Sequence, residues 1–556
     1  MRWLQKMSFL LLASGLALGQ TSAPAAAPDD AKSVASELKA LREAIAAQQQ
    51  QIAEQQEQIE TLEKQAAAKQ TVAITDSSAP RLVDANLRVA APATASAYAQ
   101  DKDKKESPLS FRIGAAEFTP GGFVDFENVF RSTNTGNVSA TNFNAIPYSN
   151  TVQGHLTEYR STGQYSRFNI KTHAKFGEND ITGYIEFDFN GNDAANVFVT
   201  SNGHTDRLRL YWLDLKRGKW EFLAGQTWGL ETPNRTGVSP WPSDLSLGYQ
   251  EDAGIHVGVQ YTRAAAFRAA YHFNENWVWA GEIQNPQQFV GAGEVIFPFV
   301  FNAALGIQFD AANNPGTPNV APDVLTKIAY DNNNVAGGRH FHMEFGGLLT
   351  SIRATVVPVG GTKFTSQTTI GGGFMGALNF DLWKGTEGRN VRFVTSGMWG
   401  YAIGRYLEGL GPAVTVRGDS TGPGTFNIAL SGVHAGDLYT GFEFVPHPKA
   451  QFGVYYGGDY FQRNFSGDTT SPIPGVCSGH PCIGFGGPNS PNSANRALQQ
   501  GTLDWTQTFW KNPQYGAVQL VTQWSYVTRA PWFVPAGAPK NAHLGMSYVS
   551  LRYVLP

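Results

Sequence analysis

The residues able to do chemistry in this 556-residue chain are charges set two positions apart. Asp125 and Glu127, Glu186 and Asp188, and Arg207 and Arg209 form such pairs, and Arg167, Lys171 and Lys175 share one parity at wider steps. In an extended strand residues i and i+2 point to one face, so each set presents its charge to one side. Guanidinium groups on a common face stay charged and grip carboxylates through paired N–H donors. The chemistry on offer is electrostatic. Either these groups attract small anions, or the basic set pairs with Asp125, Glu127, Glu186 and Asp188 and braces a wall. Arg353 and Arg405 are further basic candidates.

Catalytic signatures are missing. The sequence holds no H-E-x-x-H and no P-loop, and its 11 histidines are scattered. His340 and His342 share a strand face, but no acidic or cysteine partner follows them at metal-ligand spacing. No enzyme, cofactor or metal centre is expected. The formal net charge of -3 gives no electrostatic footprint for nucleic acid.

The elements that must carry these charges read as strands. In Phe123 to Arg131, Val124, Phe126 and Phe130 share one parity, and Asp125, Glu127 and Arg131 the other. In Tyr165 to Phe176, Phe168, Ile170, Ala174 and Phe176 oppose Arg167, Asn169, Lys171, His173 and Lys175. Ile181 to Asn190 repeats the split. One charged face and one aromatic face suit a barrel wall between lipid and water, although a soluble sandwich alternates in the same way. Length and loops separate the two. The segments run about 9 to 12 residues, near what a tilted strand needs to cross a bilayer and longer than the usual soluble strand of about 5 or 6. Short turns at 177–180 and 216–219 alternate with long connections at 132–164, 191–205 and 229–253. Trp212, Trp220 and Trp228 fall at segment ends, where an aromatic girdle is expected.

Composition agrees. The chain is 42% apolar and 16% charged with 60 glycines, which fits strands wetted on one face. It has no apolar run of about 20 residues, so helical membrane spans are excluded. Residues 108–556 therefore predict an all-β transmembrane barrel of about 16 antiparallel strands, wide enough for an aqueous channel. From residue 107 onward 30 basic residues face 32 acidic ones, so anion preference requires a local basic cluster.

Other segments precede the barrel. Arg2 and Lys6, the apolar stretch Met7 to Leu18 and the small residues beyond it read as a signal peptide over residues 1–19. Residues 31–69 lack Gly and Pro and place Leu38, Ile45, Ile52 and Ile59 at heptad a positions, with Leu41 and Leu62 at d. Gln48 and Gln55 hold the middle d positions, which disfavours a dimer and points to a trimeric coiled coil; a solitary amphipathic helix is the alternative. Residues 70–107 read as a flexible linker.

Five stretches carry a family resemblance. Arg207-Leu208-Arg209-Leu210-Tyr211-Trp212, Leu223-Ala224-Gly225-Gln226-Thr227-Trp228, Pro322-Asp323-Val324 with Lys327-Ile328-Ala329-Tyr330, Gly371-Gly372-Gly373, and Gly404-Arg405-Tyr406-Leu407 occur in one order. In this the chain resembles the DcaP-like trimeric outer-membrane porins. The resemblance implies a trimer of 16-stranded barrels in outer-membrane lipid, a periplasmic trimerising helix, and diffusion of small solutes, dicarboxylate anions among them. The terminal Arg552-Tyr553-Val554-Leu555-Pro556 departs from the aromatic ending common in such barrels. The runner-up function is a structural or adhesive barrel with a plugged lumen.

On a porin frame, residues 229–253 become the third outer loop. Pro233, Pro240, Trp241 and Pro242 with the acids Glu231, Asp244, Glu251 and Asp252 suit a stiff constriction loop facing Arg167, Lys171, Lys175, Arg207 and Arg209; a plain surface loop is the other choice. Cys477 and Cys482 lie in a Pro/Gly-rich segment with His480 between them. Export to an oxidising compartment favours a small loop disulfide, and a zinc site would lack its fourth ligand.

Overall fold

The computed structural model describes residues 107–556 apart from 136–138, 192–203, 250, 253, 287, 292, 306–307, 310–317 and 319. The signal segment, the coiled coil and nearly all of the linker lie outside the described residues.

Alternation of apolar and polar side chains has one solution when both faces need different solvents, and the chain adopts it. Sixteen strands form the wall: β1 (Ala116–Arg131), β2 (Arg167–Phe176), β3 (Asn179–Asp188), β4 (Arg207–Arg217), β5 (Trp220–Trp228), β6 (Arg263–His272), β7 (Trp277–Gln284), β8 (Asp323–Val335), β9 (Arg339–Val356), β10 (Thr365–Lys384), β11 (Asn390–Tyr401), β12 (His434–His447), β13 (Ala450–Phe461), β14 (Asn495–Asn512), β15 (Gly516–Pro531) and β16 (Ala542–Val554). Each pairs antiparallel with its neighbours in sequence. β16 returns to β1 in the register Phe123↔Val554 to Arg131↔Met546, so the sheet closes and leaves no edge to be capped. β1 is shared: its first half pairs with β2, and its second half with the short strand Glu158–Thr162.

One rim carries tight turns such as 177–178, 218–219 and 448–449, and the other carries the long connections 132–166, 229–262, 285–322, 402–433 and 462–494. The wall is apolar outside and polar inside. Val124, Phe126, Phe168, Ile170, Leu213, Phe345, Leu349, Leu503, Trp524 and Leu551 are exposed, while Asp125, Glu186, Glu282, Asp323, Glu443 and Gln523 are buried. An exposed apolar surface of this extent suits lipid, and a one-residue slip of any strand would turn its charges into that lipid.

The girdle expectation holds for Trp220 alone. Trp220 is exposed and clusters with Phe222 and Tyr271 at the tight-turn rim, ring centroids 5.8 and 4.8 Å away. Trp212 and Trp228 are buried. The cause for Trp212 is a register slip: Glu186 faces Leu210 and Phe187 faces Leu208, so Arg209 is an extra residue and the parity of β4 reverses beyond it.

Candidate functional site

Residues 229–262 leave β5 and run through the barrel interior before β6 begins at Arg263. Their partners follow the wall round. Leu230 N donates to Glu282 on β7 at 3.2 Å, Asn234 N to Glu344 on β9 at 3.3 Å, and Arg235 clamps Glu443 on β12 at 2.7 and 2.6 Å. Tyr249 N donates to the Tyr455 hydroxyl on β13 at 3.2 Å. Glu251 N and Asp252 N both donate to Gln523 on β15, at 2.7 and 2.9 Å. The loop is therefore inward-folded. It also extends to residue 262, because 254–262 alternates like a strand yet lies against the inner wall. Gly258, at φ 94°, is what permits this: a Cβ there would stand 2.3 Å from Leu438 O and 2.7 Å from Gly458 N.

Trp241 docks the loop on the opposite side of the wall, edge-on to Tyr184 and Trp212 with centroids 5.1 and 4.8 Å away, and Lys171 Nζ sits 5.2 Å from its ring. Asp244 closes the single 3-10 turn Pro242–Asp244, its N–H donating to Trp241 O at 3.0 Å. The loop acids do not face the strand arginines as expected. Glu231 accepts from the Thr262 hydroxyl, and burial beside the Glu282 carboxylate pushes it up to about 7. Glu251 accepts from Arg552.

The basic residues form a row across neighbouring strands. Register sets Phe123 opposite Arg167, Arg167 opposite Asp188, and Asp188 opposite Arg207. Arg207 binds Asp188 at 2.9 and 2.6 Å; Arg209 binds Glu186 at 2.8 Å and Asp188 at 3.1 Å. Tyr184 donates to Glu186 at 2.7 Å. The Trp228 ring then lies 5.9 Å from the Arg209 guanidinium and 5.4 Å from that of Arg263. At the other end, Arg167 stands 4.5 Å from the Tyr165 ring and Arg552 stands 4.2 Å from the Phe123 ring. Ring faces attract guanidinium groups, so the aromatics space like charges that would otherwise repel. Along β2 to β6 the four arginines Arg167, Arg207, Arg209 and Arg263 stand against Glu186 and Asp188 on the same strands, a local basic cluster although the barrel as a whole is near neutral.

Several predicted residues lie elsewhere. Lys175 is at the tight-turn rim, 3.5 Å from Asp180 and 70% exposed. Asp125 pairs with Arg552 at 2.9 Å rather than with β4. Arg353 is exposed on the outward parity of β9 with Phe345 and Leu349, so it does not line the interior. Arg405, in the loop after β11, binds Asp323. His340 and His342 do have acidic partners, contrary to the sequence reading. Asp331, across the sheet on β8, lies 2.8 Å from His342 Nδ1, and Glu344 lies 3.2 Å from its Nε2. Cys477 and Cys482 are joined, Cα atoms 5.0 Å apart, in the loop before β14.

Arg235, Arg263 and Arg552 escaped the sequence reading. For Arg552 a signal existed, since Tyr548, Ser550 and Arg552 alternate with Val549, Leu551 and Tyr553. Arg235 and Arg263 had none, being a loop residue and the first residue of a strand.

The sequence matches no protein-family model and no curated protein. Among solved structures, the outer-membrane channel DcaP of Acinetobacter baumannii superposes with a TM-score of 0.52 at 15% identity, covering 80% of this chain and 99% of that one. OmpT, an outer-membrane protein of Vibrio cholerae, gives 0.40 at 9% identity over 80% and 99%. OprB of Pseudomonas putida gives 0.39 at 11% over 78% and 94%. With a closed 16-stranded antiparallel wall and the DcaP channel superposing over four fifths of its length, the chain has a DcaP-like porin fold.

Proposed function

We propose that the protein is an outer-membrane porin, a homotrimer whose channels pass small polar and anionic solutes by diffusion. One observation carries this: the arginine row across β2 to β6, with Trp241 of an inward loop packed beside it. Such a row lowers the barrier for an anion through long-range attraction, and its paired N–H donors suit carboxylates, dicarboxylates included. No catalysis and no cofactor take part. Residues 31–69 would form the periplasmic, trimerising stalk. Purified protein in planar bilayers tests the central claim, since discrete channel openings are expected and a protein that never conducts would sink it. Deleting residues 31–69 tests the stalk, and an unchanged trimer mass would leave the barrels as the only oligomer interface.

A second reading has its own support. Phe143, Ile146 and Tyr148 of the first outer loop are buried together with Leu230 and Val257 in one apolar cluster, so interior space is filled. That suits a plugged, structural or adhesive barrel. The same bilayer recording decides, because a plugged barrel gives no openings at any voltage.

A further inference from the structure

Where the inward loop passes β1, three carboxylates converge. Oxygens of Asp125, Glu127 and Glu251 all lie within 4.8 Å of one another, and all three residues are buried. Arg552 takes one oxygen of Asp125 and one of Glu251. Asp125 Oδ1, Glu251 Oε2 and both oxygens of Glu127 have no hydrogen-bond partner. Glu127 is the decisive group. It is 0% exposed, is wholly unpartnered, and is held at close range to two other carboxylates. Asp252, the next residue of the loop, adds negative charge beside them; its Oδ1 accepts from Thr141 N at 3.0 Å and Gly254 N at 2.8 Å, and its Oδ2 is unpartnered.

A buried carboxylate without a donor is costly, and one flanked by two more is costlier still. Arg552 offsets one of three charges and leaves about two, the charge of a single divalent cation. The donors are all carboxylate oxygens, with no imidazole or thiolate among them. Such a set selects a hard ion over zinc or copper, and crowded carboxylates of variable geometry suit calcium better than octahedral magnesium. We propose that Asp125, Glu127 and Glu251 bind a calcium ion that ties the loop 229–262 to the wall at the β16–β1 seam. Two ligands come from β1 and one from the loop, so the ion acts as a staple between a rigid strand and the segment that narrows the interior.

The test uses the full-length protein in detergent, stripped with EDTA and titrated with calcium chloride by calorimetry. Saturable uptake of one ion per chain is expected, with Kd of about a millimolar or tighter. Glu127→Gln should weaken it about tenfold or more, while Glu178→Gln, in an exposed turn, should leave it unchanged. If E127Q does not assemble, Glu251→Gln on the loop gives the same reading. Wild-type protein that shows no saturable uptake overturns the proposal, as does uptake that survives both substitutions. The titration needs no conductance, so its outcome is separate from that of the porin reading.

Discussion

Arg207 and Arg209 share a face of β4 and a partner in Asp188, yet they differ in what they leave for a passing ion. The Arg207 side chain keeps 36% of its surface and Arg209 only 5%. Arg207→Ala removes one accessible positive charge from the row. A unit charge about 5 Å from a monovalent ion in a water-like medium is worth ~0.8 kcal/mol, and screening in about 0.1 M salt trims this to ~0.5 kcal/mol. The anion loses that attraction while the cation escapes an equal repulsion, so the anion-to-cation permeability ratio falls about fivefold. Reversal potentials across a salt gradient in planar bilayers measure it, and they should move toward cation preference. Arg209→Ala should act differently. Glu186, 4% exposed, would keep only the Tyr184 hydroxyl, and stranding a buried carboxylate costs about 3–5 kcal/mol. A lower heat-denaturation temperature of the folded barrel is expected, read by electrophoretic mobility. If R209A shifts the reversal potential and R207A does not, this division of roles is refuted; if neither does, the row is only a wall brace.

Three further outcomes follow from the loop. Arg235→Ala strands Glu443, which is 0% exposed and keeps Arg392 at 4.0 Å and the Tyr249 and Tyr455 hydroxyls; a loss of about 3–5 kcal/mol and a larger, noisier single-channel conductance are expected. Unchanged current and stability would show that Arg235 does not anchor the loop. Gly258→Val combines a strained φ of 94° with a clash against Leu438 O, so it should lift the loop and raise conductance with the arginine row intact, as single-channel recording would show. Glu231, pushed up to about 7 in the folded protein, binds more protons there than when unfolded between about pH 4.5 and 7. Stability therefore falls as pH rises through that window, by about 3 kcal/mol in all, and Glu231→Gln should flatten the melting-temperature profile.

The wall was legible because lipid and water impose period two on every strand, and Phe168 opposite in parity to Arg167 already states which side is which. The same rule exposed Arg207, Glu186 and Asp188 as inward groups. It failed at Arg209, where a single inserted residue reverses the parity and carries Trp212 from an expected girdle to the interior. Parity assigns a side, whereas partners come from register and closure, and these depend on residues far away. Arg235 and Glu443 are 208 positions apart, and Asp125 and Arg552 are 427 apart across the seam that makes the sheet a barrel. The loop is the extreme case. Its prolines predict stiffness, but its course depends on a row of wall groups including Glu282, Glu344, Glu443 and Gln523, and on bare backbone at Gly457 and Gly458 that lets Gly258 lie flush. The acids predicted to face arginines on β2 and β4 are displaced for that reason. Once the loop is fixed by the far wall, Glu251 falls beside Asp125 and Glu127, and the sign of the charge it meets is set by β1 and by Arg552 alone.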